Sequence, residues 1–474
     1  MSQWLPIREL AAKVQAGELK ASDLVEQALR TIEEKKEYDA IIATTAERAR
    51  ERAASIDAAV ANGQPVGRLA GVPFIAKDNF LVFGAETTAA SNILKGFNAP
   101  YQSTAIERLE AEGAICVAKA NLDAFAHGSS TENSDFMTTK NPRDKTRVPG
   151  GSSGGSAASV VLEMAPFALG TDTGGSIRLP ASFVGCVGYK PTYGLVSRYG
   201  VVAMASSTDV IGPLTRTVED ASAVLDVMSG QDQFDGTTIP RDEAGYIDLS
   251  ADLKGKKIGI IKEYMSDDLD AEIKAKIQAG IGKLKDAGAE ITELSLPSLP
   301  LALAVYYIVC PAEVSSNLSR YDGQRYPSSA EDAKDLDESY MLTRGRGFGA
   351  EAKRRIMIGT YVLSSGYYDA YYNKAQTVRT KIINEFNEAF GQVDFLVGPT
   401  APMTAFKIGE NSEDPLQMYL TDIMTVAVNM AGVPAISIPV GDINGLPVGL
   451  QLIAQQRQDR ALLGAARAAE KVLA

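Results

Sequence analysis

The chain has 474 residues, of which 45% are hydrophobic and 22% are charged, a composition typical of a globular protein. Its formal net charge at pH 7 is -12 and it has no run rich in lysine or arginine, which argues against unaided binding to nucleic acid or to an anionic membrane. We therefore expect a second chain to hold any nucleic acid that this protein serves.

The first part of the chain, residues 7–62, has apolar residues at helical spacing with charges between them, which predicts helices. Ser22 is a candidate N-cap for one of them. From about residue 69 short apolar strands alternate with helices. Strands are predicted at 71–76 and 114–118, with helices at 104–112 and 217–228. Thr217, with Asp220 three residues on, predicts a capped start for the last of these helices. Such alternation is typical of the α/β class, in which helices cover both faces of a sheet.

The second half begins with the same alternation and then changes character. The predicted elements are a strand at 257–261, a helix at 270–287, strands at 289–294, 433–439 and 446–453, and a helix at about 458–473. Asn444-Gly445 predicts a hairpin turn between the last two strands. Residues 318–355 are polar and rich in glycine and charge, which fits either an insertion that caps a site or a solvated connecting segment.

Three cysteines, Cys116, Cys186 and Cys310, lie far apart and form no C-x-x-C pair. We therefore expect neither a disulfide framework nor a metal site, and we expect a reducing, cytoplasmic compartment. The start of the chain does not resemble a signal peptide. The longest apolar stretch, near 299–312, contains two prolines, and we expect it to be too short and too broken to span a membrane.

The single histidine, His127, excludes most of the familiar nucleophile systems. Residues 150–154, GGSSG, match the G-x-S-x-G nucleophile elbow formally, but that elbow needs a histidine after the serine, and His127 precedes it. The chain also lacks the arrangement for a Cys–His pair, any Ser-x-x-Lys sequence and a Walker-type ATP site. What remains is a serine nucleophile with a lysine base.

The candidate catalytic lysine and serines lie in three segments: GVPFIAKDNF at 71–80, PGGSSGGS at 149–156 and GTDTGGSIR at 170–178. Lys77 follows an apolar strand, where burial disfavours the ammonium form and lowers the pKa, as a lysine base requires. The residues alone leave open a structural lysine paired with Asp78 or another carboxylate. Taken alone, the loop at 149–156 also fits a phosphate-binding loop or a flexible turn.

The loop at 170–178 is more informative than the other two segments. Its residues Thr173, Gly174, Gly175 and Ser176 provide successive N–H groups. A glycine-rich turn can direct such groups at one oxygen, and this arrangement is an oxyanion hole. Ser176, at the end of the turn, is placed to attack a carbonyl held there.

Together the three segments resemble the amidase signature family, with its triad of a serine, a second serine preceded by a cis peptide bond, and a lysine. The resemblance covers the chain from about residue 5 to its end. It implies that Ser176 is the nucleophile, Ser152 the bridging serine and Lys77 the base. Neutral Lys77 then takes a proton from Ser152, Ser152 takes one from Ser176, and the N–H groups of residues 173–176 hold the oxyanion.

The resemblance also implies an amidase-signature fold of the α/β class: a central mixed sheet covered by helices on both faces, a helical N-terminal region and a cap insertion. We interpret residues 1–474 as a single domain of this kind. Its parts are the helical N-terminal region at 1–66, the core at 67–230, and a remainder with the cap insertion at about 300–390 and the C-terminal strands and helix.

Stretches outside Gly71 to Pro191, where the family matches are densest, are similar to the glutaminase (A) subunits of tRNA-dependent amidotransferases, a group within that family. The longest are SRYGVVAMASSTDVIGPLTRTVEDA at 197–221, KRRIMIGTYVLSSGYYDAYY at 353–372 and LTDIMTVAVNMAGVPAISIP at 420–439. This similarity implies that glutamine is hydrolysed to glutamate and ammonia. A partner then uses the ammonia to amidate Glu-tRNA(Gln), Asp-tRNA(Asn) or both.

The same resemblance implies the partners and the glutamine pocket. The partners are a B-type kinase and tRNA-binding subunit, which needs ATP and Mg, and a small C-type subunit; this chain itself needs no cofactor and no membrane. In the pocket Arg355 binds the α-carboxylate of glutamine and Asp422 its α-ammonium, because a free amino acid needs one group of each sign. Ser129 and either Tyr306 or Tyr307 line it. Arg354 beside Arg355 leaves the choice of arginine open.

Some positions depart from the family pattern. His127 stands where an aliphatic residue or methionine is expected, and it is either a pocket-wall residue or a core residue. Val210 replaces an expected Gln, and Pro327-Ser328 replaces a segment that usually contains glycine. Two alternatives stay open: a stand-alone amidase for small or fatty amides, and an inactive scaffold. The matches within 300–430 argue against the first, and the complete triad argues against the second.

Overall fold

The computed structural model of the protein describes residues 4–248, 250–267, 269–411 and 414–473. The strands in these residues are β1 (Ile41–Thr44), β2 (Pro73–Lys77), β3 (Ile115–Ala120), β4 (Phe167–Asp172), β5 (Val187–Lys190), β6 (Val210–Thr215), β7 (Lys257–Ile261), β8 (Glu290–Leu294), β9 (Phe395–Pro399), β10 (Ala435–Ile443) and β11 (Leu446–Ala454). They form one sheet in the order β1-β3-β2-β4-β6-β5-β10-β11-β9-β7-β8. The pairs that β2 makes with β3 and β4, and β7 with β8 and β9, are parallel, and the other pairs are antiparallel.

Helices flank this sheet. They are α1 (Ile7–Gln15), α2 (Ala21–Glu34), α3 (Ala46–Ala61), α4 (Thr104–Ala111), α5 (Gly154–Val161), α6 (Arg178–Val184), α7 (Val218–Met228), α8 (Ala271–Asp286), α9 (Ala302–Asn317), α10 (Leu336–Gly347), α11 (Ala350–Val362), α12 (Lys374–Phe390), α13 (Pro415–Leu420), α14 (Val426–Ala431) and α15 (Asp459–Leu473). α5 packs on β2, β3 and β4, α6 packs on β5, β10 and β11, and α8 and α15 pack on β10 and β11. The predicted α/β class with a central mixed sheet covered by helices is confirmed.

The middle of the sheet is fully buried and its edges are not. Every residue of β2, β3 and β4 is buried, whereas the edge strands β1 and β8 are half-buried or exposed. Parallel strands covered on both faces are mostly apolar, and these three are apolar apart from Lys77, Lys119, Thr171 and Asp172. Because β2 and β4 run parallel, their carboxyl ends lie at the same edge of the sheet, which brings Lys77 close to Thr171 and Asp172.

In the N-terminal region the predicted helices form, but a strand interrupts them. β1 pairs antiparallel with β3, with Ile41 opposite Ala120. The prediction of Ser22 as an N-cap is wrong, because the first turn of α2 is capped by a carboxylate from α3. Asp57 Oδ1 accepts a hydrogen bond from the N–H of Ala21 at 2.7 Å, and the Ser22 hydroxyl donates to Asp57 Oδ2 at 2.6 Å.

Most of the other predicted elements are confirmed. The hairpin turn at Asn444-Gly445 joins β10 to β11, and both residues have the positive φ, 51° and 80°, that such a turn needs. Thr217 caps α7, since its side chain accepts a hydrogen bond from the N–H of Asp220 at 3.1 Å. Strands β4, β5, β6 and β9 are not among the predicted ones.

The apolar stretch near residue 300 is longer than its sequence suggests. Leu299–Arg320 is a continuous helical stretch of 22 residues, and its most apolar 18 residues have a mean hydropathy of 1.4, so it is long and apolar enough by those two measures to cross a membrane. The prediction that it is too short is therefore wrong, because Pro311 lies inside the helix without ending it. Half of its most apolar part is buried in the protein, where α9 packs against α11, α12 and α14.

Candidate active site

Lys77, the last residue of β2, is fully buried among hydroxyl groups. Its Nζ lies 2.7 Å from Ser152 Oγ, 2.9 Å from Ser153 Oγ and 2.9 Å from Thr171 Oγ1. Burial lowers the pKa of Lys77 to about 7. Lys77 therefore loses its proton far more readily than an exposed lysine, which is the property a lysine base needs.

The alternative of a structural ion pair between Lys77 and Asp78 is excluded by the structure. Asp78 Oδ1 instead pairs with Nζ of Lys119, a second buried lysine, at 2.7 Å. Asp78 Oδ2 accepts a hydrogen bond from the N–H of Thr88 at 3.0 Å. The carboxylate that follows Lys77 in sequence is thus engaged elsewhere.

The loop that carries Ser152 precedes α5, and its Gly151–Ser152 peptide bond is cis. A buried carboxylate supports it: a Cβ on Gly151 would lie 2.1 Å from Asp123 Oδ2, so only glycine fits there. Asp123 accepts hydrogen bonds from the N–H groups of Thr131 at 2.9 Å and Asn133 at 3.1 Å. Burial raises the pKa of Asp123 to about 6. The sequence does not predict this support, because Asp123 lies outside the three segments that carry Lys77, Ser152 and Ser176.

Ser176 lies in the turn between β4 and α6, and its side chain is nearly buried. Its carbonyl accepts a hydrogen bond from the N–H of Ser153 at 3.1 Å, which holds the two serine loops against each other. The structure thus places the three segments next to one another: Lys77 contacts the Ser152 side chain, and the backbone of Ser176 contacts that of Ser153. It also adds Ser153 and Thr171, which hold Lys77 and which the prediction left out.

A buried ion pair shapes the turn that presents Ser176. Arg178 Nη2 lies 2.9 Å from Asp172 Oδ1, and both side chains are fully buried. Burial by itself raises the pKa of Asp172, but the charge and hydrogen bonds of Arg178 outweigh burial and bring it to about 2. Arg178 is held in turn by Gln451 Oε1 and Asn429 Oδ1, each at 2.6 Å. Asp172 therefore stays ionised and can accept hydrogen bonds from the backbone N–H groups of the turn.

This arrangement changes one of the predicted oxyanion-hole residues. The N–H of Gly175 donates to Asp172 Oδ1 at 2.9 Å. Because a backbone amide has one hydrogen, that group is not available to an oxyanion, and the Gly175 prediction is wrong for this arrangement. The N–H groups of Thr173, Gly174 and Ser176 remain as candidates.

A cavity of about 240 Å³ is bordered by both arginines of the Arg354-Arg355 pair and by Asp123, the carboxylate that lies against the Ser152 loop. Arg355 is buried, its Nε donates to Glu351 Oε1 at 2.8 Å, and its guanidinium lies 5.4 Å from the centre of the Tyr307 ring. The Arg354 side chain is 42% exposed and pairs with the other oxygen of Glu351. Arg355 is therefore the buried cation of this cavity, and Arg354 is a rim residue.

Asp422 provides a buried group of the opposite sign close to this cavity. Tyr307, which lines the cavity, donates its hydroxyl to Asp422 Oδ2 at 3.1 Å. Burial raises the pKa of Asp422 to about 7. Tyr306 packs on the Ser176 turn instead, since a Cβ on Gly174 would lie 2.7 Å from its ring. Tyr307 is thus the tyrosine that links the two charged groups.

Ser129 lines the same cavity, as predicted for a pocket residue. Its Oγ donates to the carbonyl of Met418 at 3.2 Å and lies 2.7 Å from Thr421 Oγ1. These contacts tie the segment that carries Ser129 to the stretch that leads to Asp422. The cavity therefore has walls from distant parts of the chain.

The possible metal ligands and the three cysteines show no arrangement suited to catalysis in the described residues. Within the described ranges, no cluster of three or more His, Cys, Asp or Glu residues could hold a metal ion. The cysteines Cys116, Cys186 and Cys310 are all buried and unpaired, and burial raises the pKa of each thiol to about 12. Such thiols are poor nucleophiles and poor metal ligands.

The fold and the serine–lysine centre define an amidase. The model of the amidase family matches residues 23–463, and the chain belongs to this family. The chain is 51% identical to the A chain of the glutamyl-tRNA(Gln) amidotransferase of Thermoanaerobacter pseudethanolicus, over 469 residues that span 98% of this chain and 96% of that one. It is 50% identical over 467 residues to the corresponding chain of the Geobacillus thermodenitrificans enzyme of the same name, with 98% and 96% coverage.

Solved structures give the same picture. The corresponding chain of the glutamyl-tRNA(Gln) amidotransferase of Thermotoga maritima is 42% identical and superposes with a TM-score of 0.80 over 95% of this chain and 91% of that one. A bacterial aryl acylamidase of the amidase signature family is 25% identical, with a TM-score of 0.86 over 99% and 96%. The resemblance inferred from the sequence is confirmed, and the similarity to the glutaminase chains of amidotransferases is favoured over that to a stand-alone amidase.

Proposed function

We propose that this chain is the glutamine-hydrolysing component of a tRNA-dependent amidotransferase. It hydrolyses L-glutamine to glutamate and ammonia, and a partner uses the ammonia to amidate Glu-tRNA(Gln), Asp-tRNA(Asn) or both. The observation that carries the proposal is the pairing of a buried lysine among hydroxyls with a cavity that has a buried arginine and a nearby buried carboxylate. The names of the relatives at about half identity support it.

In the proposed mechanism neutral Lys77 accepts a proton from the Ser152 hydroxyl, and Ser152 accepts one from Ser176. Ser176 Oγ attacks the carboxamide carbon of glutamine, and N–H groups of the Ser176 turn stabilise the oxyanion. When the tetrahedral intermediate collapses, the proton returns through Ser152 to the leaving nitrogen and ammonia departs. Water then hydrolyses the glutamyl ester by the same relay. The 2.7 Å contact between Lys77 and Ser152 supports the first step.

We propose that recognition of glutamine depends on charge. Arg355 binds the α-carboxylate, because a guanidinium forms paired hydrogen bonds with a carboxylate. Asp422 binds the α-ammonium, and the incoming positive charge favours its ionised form. Ser129 and the Tyr306–Tyr307 pair complete the pocket, with Tyr306 against the Ser176 turn and Tyr307 between the charged groups.

The partners follow from this assignment. We propose that a B-type subunit with ATP and Mg phosphorylates the glutamate or aspartate on the misacylated tRNA, and that a small C-type subunit completes the complex. Ammonia passes from this chain to its partner, and the complex is cytoplasmic. The net charge of -12 and the missing Walker sequence support this division of work. We also propose that residues 1–474 fold as a single domain, since strands from its start and from its end share one sheet.

The test is ammonia release from L-glutamine, L-asparagine and propionamide, by the chain alone and with its partner subunits, with Ser176→Ala as the control. We expect a preference for L-glutamine that Ser176→Ala abolishes. A preference for propionamide would instead identify a stand-alone amidase. If Ser176→Ala released ammonia at the rate of the unaltered chain, the proposed nucleophile would be wrong.

A further inference from the structure

The imidazole of His127 is fully buried, and neither of its ring nitrogens has a hydrogen-bond partner in the part of the chain that the structure describes. Buried polar groups in folded proteins are nearly always paired, because an unpaired group has lost its hydrogen bonds to water without replacement. Each exception calls for an explanation. For a residue in the wall of a binding cavity, the direct explanation is that a bound ligand supplies the missing hydrogen bond.

His127 lies in the wall of the 240 Å³ cavity together with Ser129, Tyr307 and Arg355. Burial, and then the charge of nearby Arg355, hold the pKa of His127 well below its ordinary value, so the ring is neutral. A neutral imidazole has one N–H donor and one acceptor nitrogen. Unlike a second cation, it can stand beside Arg355 without repulsion and still donate a hydrogen bond.

A purely space-filling role does not need a histidine at this position. The ring has an aromatic neighbour, Phe125, with centroids 6.2 Å apart. An aliphatic residue or methionine would fill comparable space without burying two unpaired nitrogens. The terminal nitrogens of Arg355 likewise have no hydrogen-bond partner among the described residues, because its one hydrogen bond there is from Nε to Glu351. Two unsatisfied donors in one cavity wall fit an acceptor with several lone pairs, which a carboxylate is.

We propose that His127 is a specificity-determining residue whose ring N–H donates to the α-carboxylate of the amino acid bound by Arg355. The inference rests on the proposed function and goes beyond it. It assigns to His127 the selection of free α-amino acid amides against amides without an α-carboxylate. The second ring nitrogen accepts a hydrogen bond from water or from the ligand.

The test compares L-glutamine with 4-aminobutanamide, which keeps the carboxamide and the amine and lacks the α-carboxylate. His127→Met is assayed in the complete complex by ammonia release. We expect KM for L-glutamine to rise about tenfold, as for the loss of one hydrogen bond to a charged group. We expect kcat for L-glutamine and kcat/KM for 4-aminobutanamide to stay within about twofold, since neither involves this hydrogen bond. His127→Gln, which keeps an N–H, should lower KM again.

An unchanged KM for L-glutamine in His127→Met, or an equal loss with both amides, overturns the inference and leaves the proposed function intact. A wild-type complex that releases no ammonia from L-glutamine overturns both. If His127→Met does not fold, His127→Gln and His127→Asn are compared instead. Their side-chain amides take the positions of different ring nitrogens of the histidine. A KM for L-glutamine that differs between these two variants, with 4-aminobutanamide unaffected, supports the inference; equal KM values overturn it.

Discussion

Two buried lysines lie on neighbouring strands of the sheet, and they differ in what surrounds them. Lys119, on β3, pairs with the carboxylate of Asp78 at 2.7 Å. Lys77, at the end of β2, forms hydrogen bonds only with hydroxyls among the described residues: those of Ser152, Ser153 and Thr171. A carboxylate in contact favours the ammonium form, whereas hydroxyls leave burial to dominate and lower the pKa of Lys77 to about 7. Burial alone therefore does not make a lysine a base.

Strand geometry explains why Asp78 serves Lys119 and not its sequence neighbour. Successive side chains of a strand point to opposite faces of the sheet, so Lys77 and Asp78 point apart. Lys119 stands in register with Ala76, whose side chain shares a face with that of Asp78 two residues on. The two lysines thus occupy opposite faces of the same two strands, one structural and one suited to catalysis.

The largest expected effect comes from Lys77→Met. We expect kcat for ammonia release from L-glutamine to fall about 10²- to 10⁴-fold, the usual contribution of a general base. The free energy of unfolding should hold or rise, because an apolar side chain suits a site that disfavours charge. Steady-state kinetics and urea unfolding measure the two. Retention of more than half of the wild-type kcat would refute the role of Lys77.

Lys119→Met is the matched control and should show the opposite pattern. It leaves the Asp78 carboxylate buried without its ion-pair partner, so we expect the free energy of unfolding to fall by about 3–5 kcal/mol. The double variant Asp78→Asn with Lys119→Met should recover most of that loss, while kcat per folded molecule falls less than in Lys77→Met. If Lys119→Met unfolds in urea like the wild type, the contrast between the two lysines fails.

The arginine pair offers a smaller version of the same contrast between a buried and an exposed charge. Arg355→Met should raise KM for L-glutamine about 30- to 100-fold, as expected when one partner of a buried charged contact is removed. Arg354→Met should change KM by less than about threefold, because exposed ion pairs contribute little. Equal effects of the two substitutions on KM would show that burial does not identify the carboxylate-binding arginine.

The sequence predicted those features that depend on local pattern. The three segments with lysine, glycine and serine located Lys77, Ser152 and Ser176, and the Asn444-Gly445 dipeptide located a hairpin turn. The buried strand β2 and the cap of α7 at Thr217 likewise follow from residues within a few positions of each other.

The features that the sequence did not predict depend on partners far along the chain. The N-terminus of α2 is capped by Asp57 from another helix, so the local candidate Ser22 was wrong. The Gly175 N–H is taken by Asp172, whose own position depends on buried Arg178. Helix α9 continues through Pro311, although proline usually ends a helix. Local rules describe each residue's preference, and tertiary contacts override it in these places.

The measurement that tests the account most directly is the pH dependence of kcat for L-glutamine hydrolysis by the complete complex. Because the base is the neutral form of Lys77, with a pKa of about 7, kcat should fall about tenfold for each pH unit below 7 and level off above it. The pKa of Asp422 is also about 7. At saturating L-glutamine the titration of Asp422 affects KM and not kcat. A kcat that is constant between about pH 5.5 and 8.5, or that rises only near the ordinary pKa of lysine, would contradict a neutral Lys77 as the base.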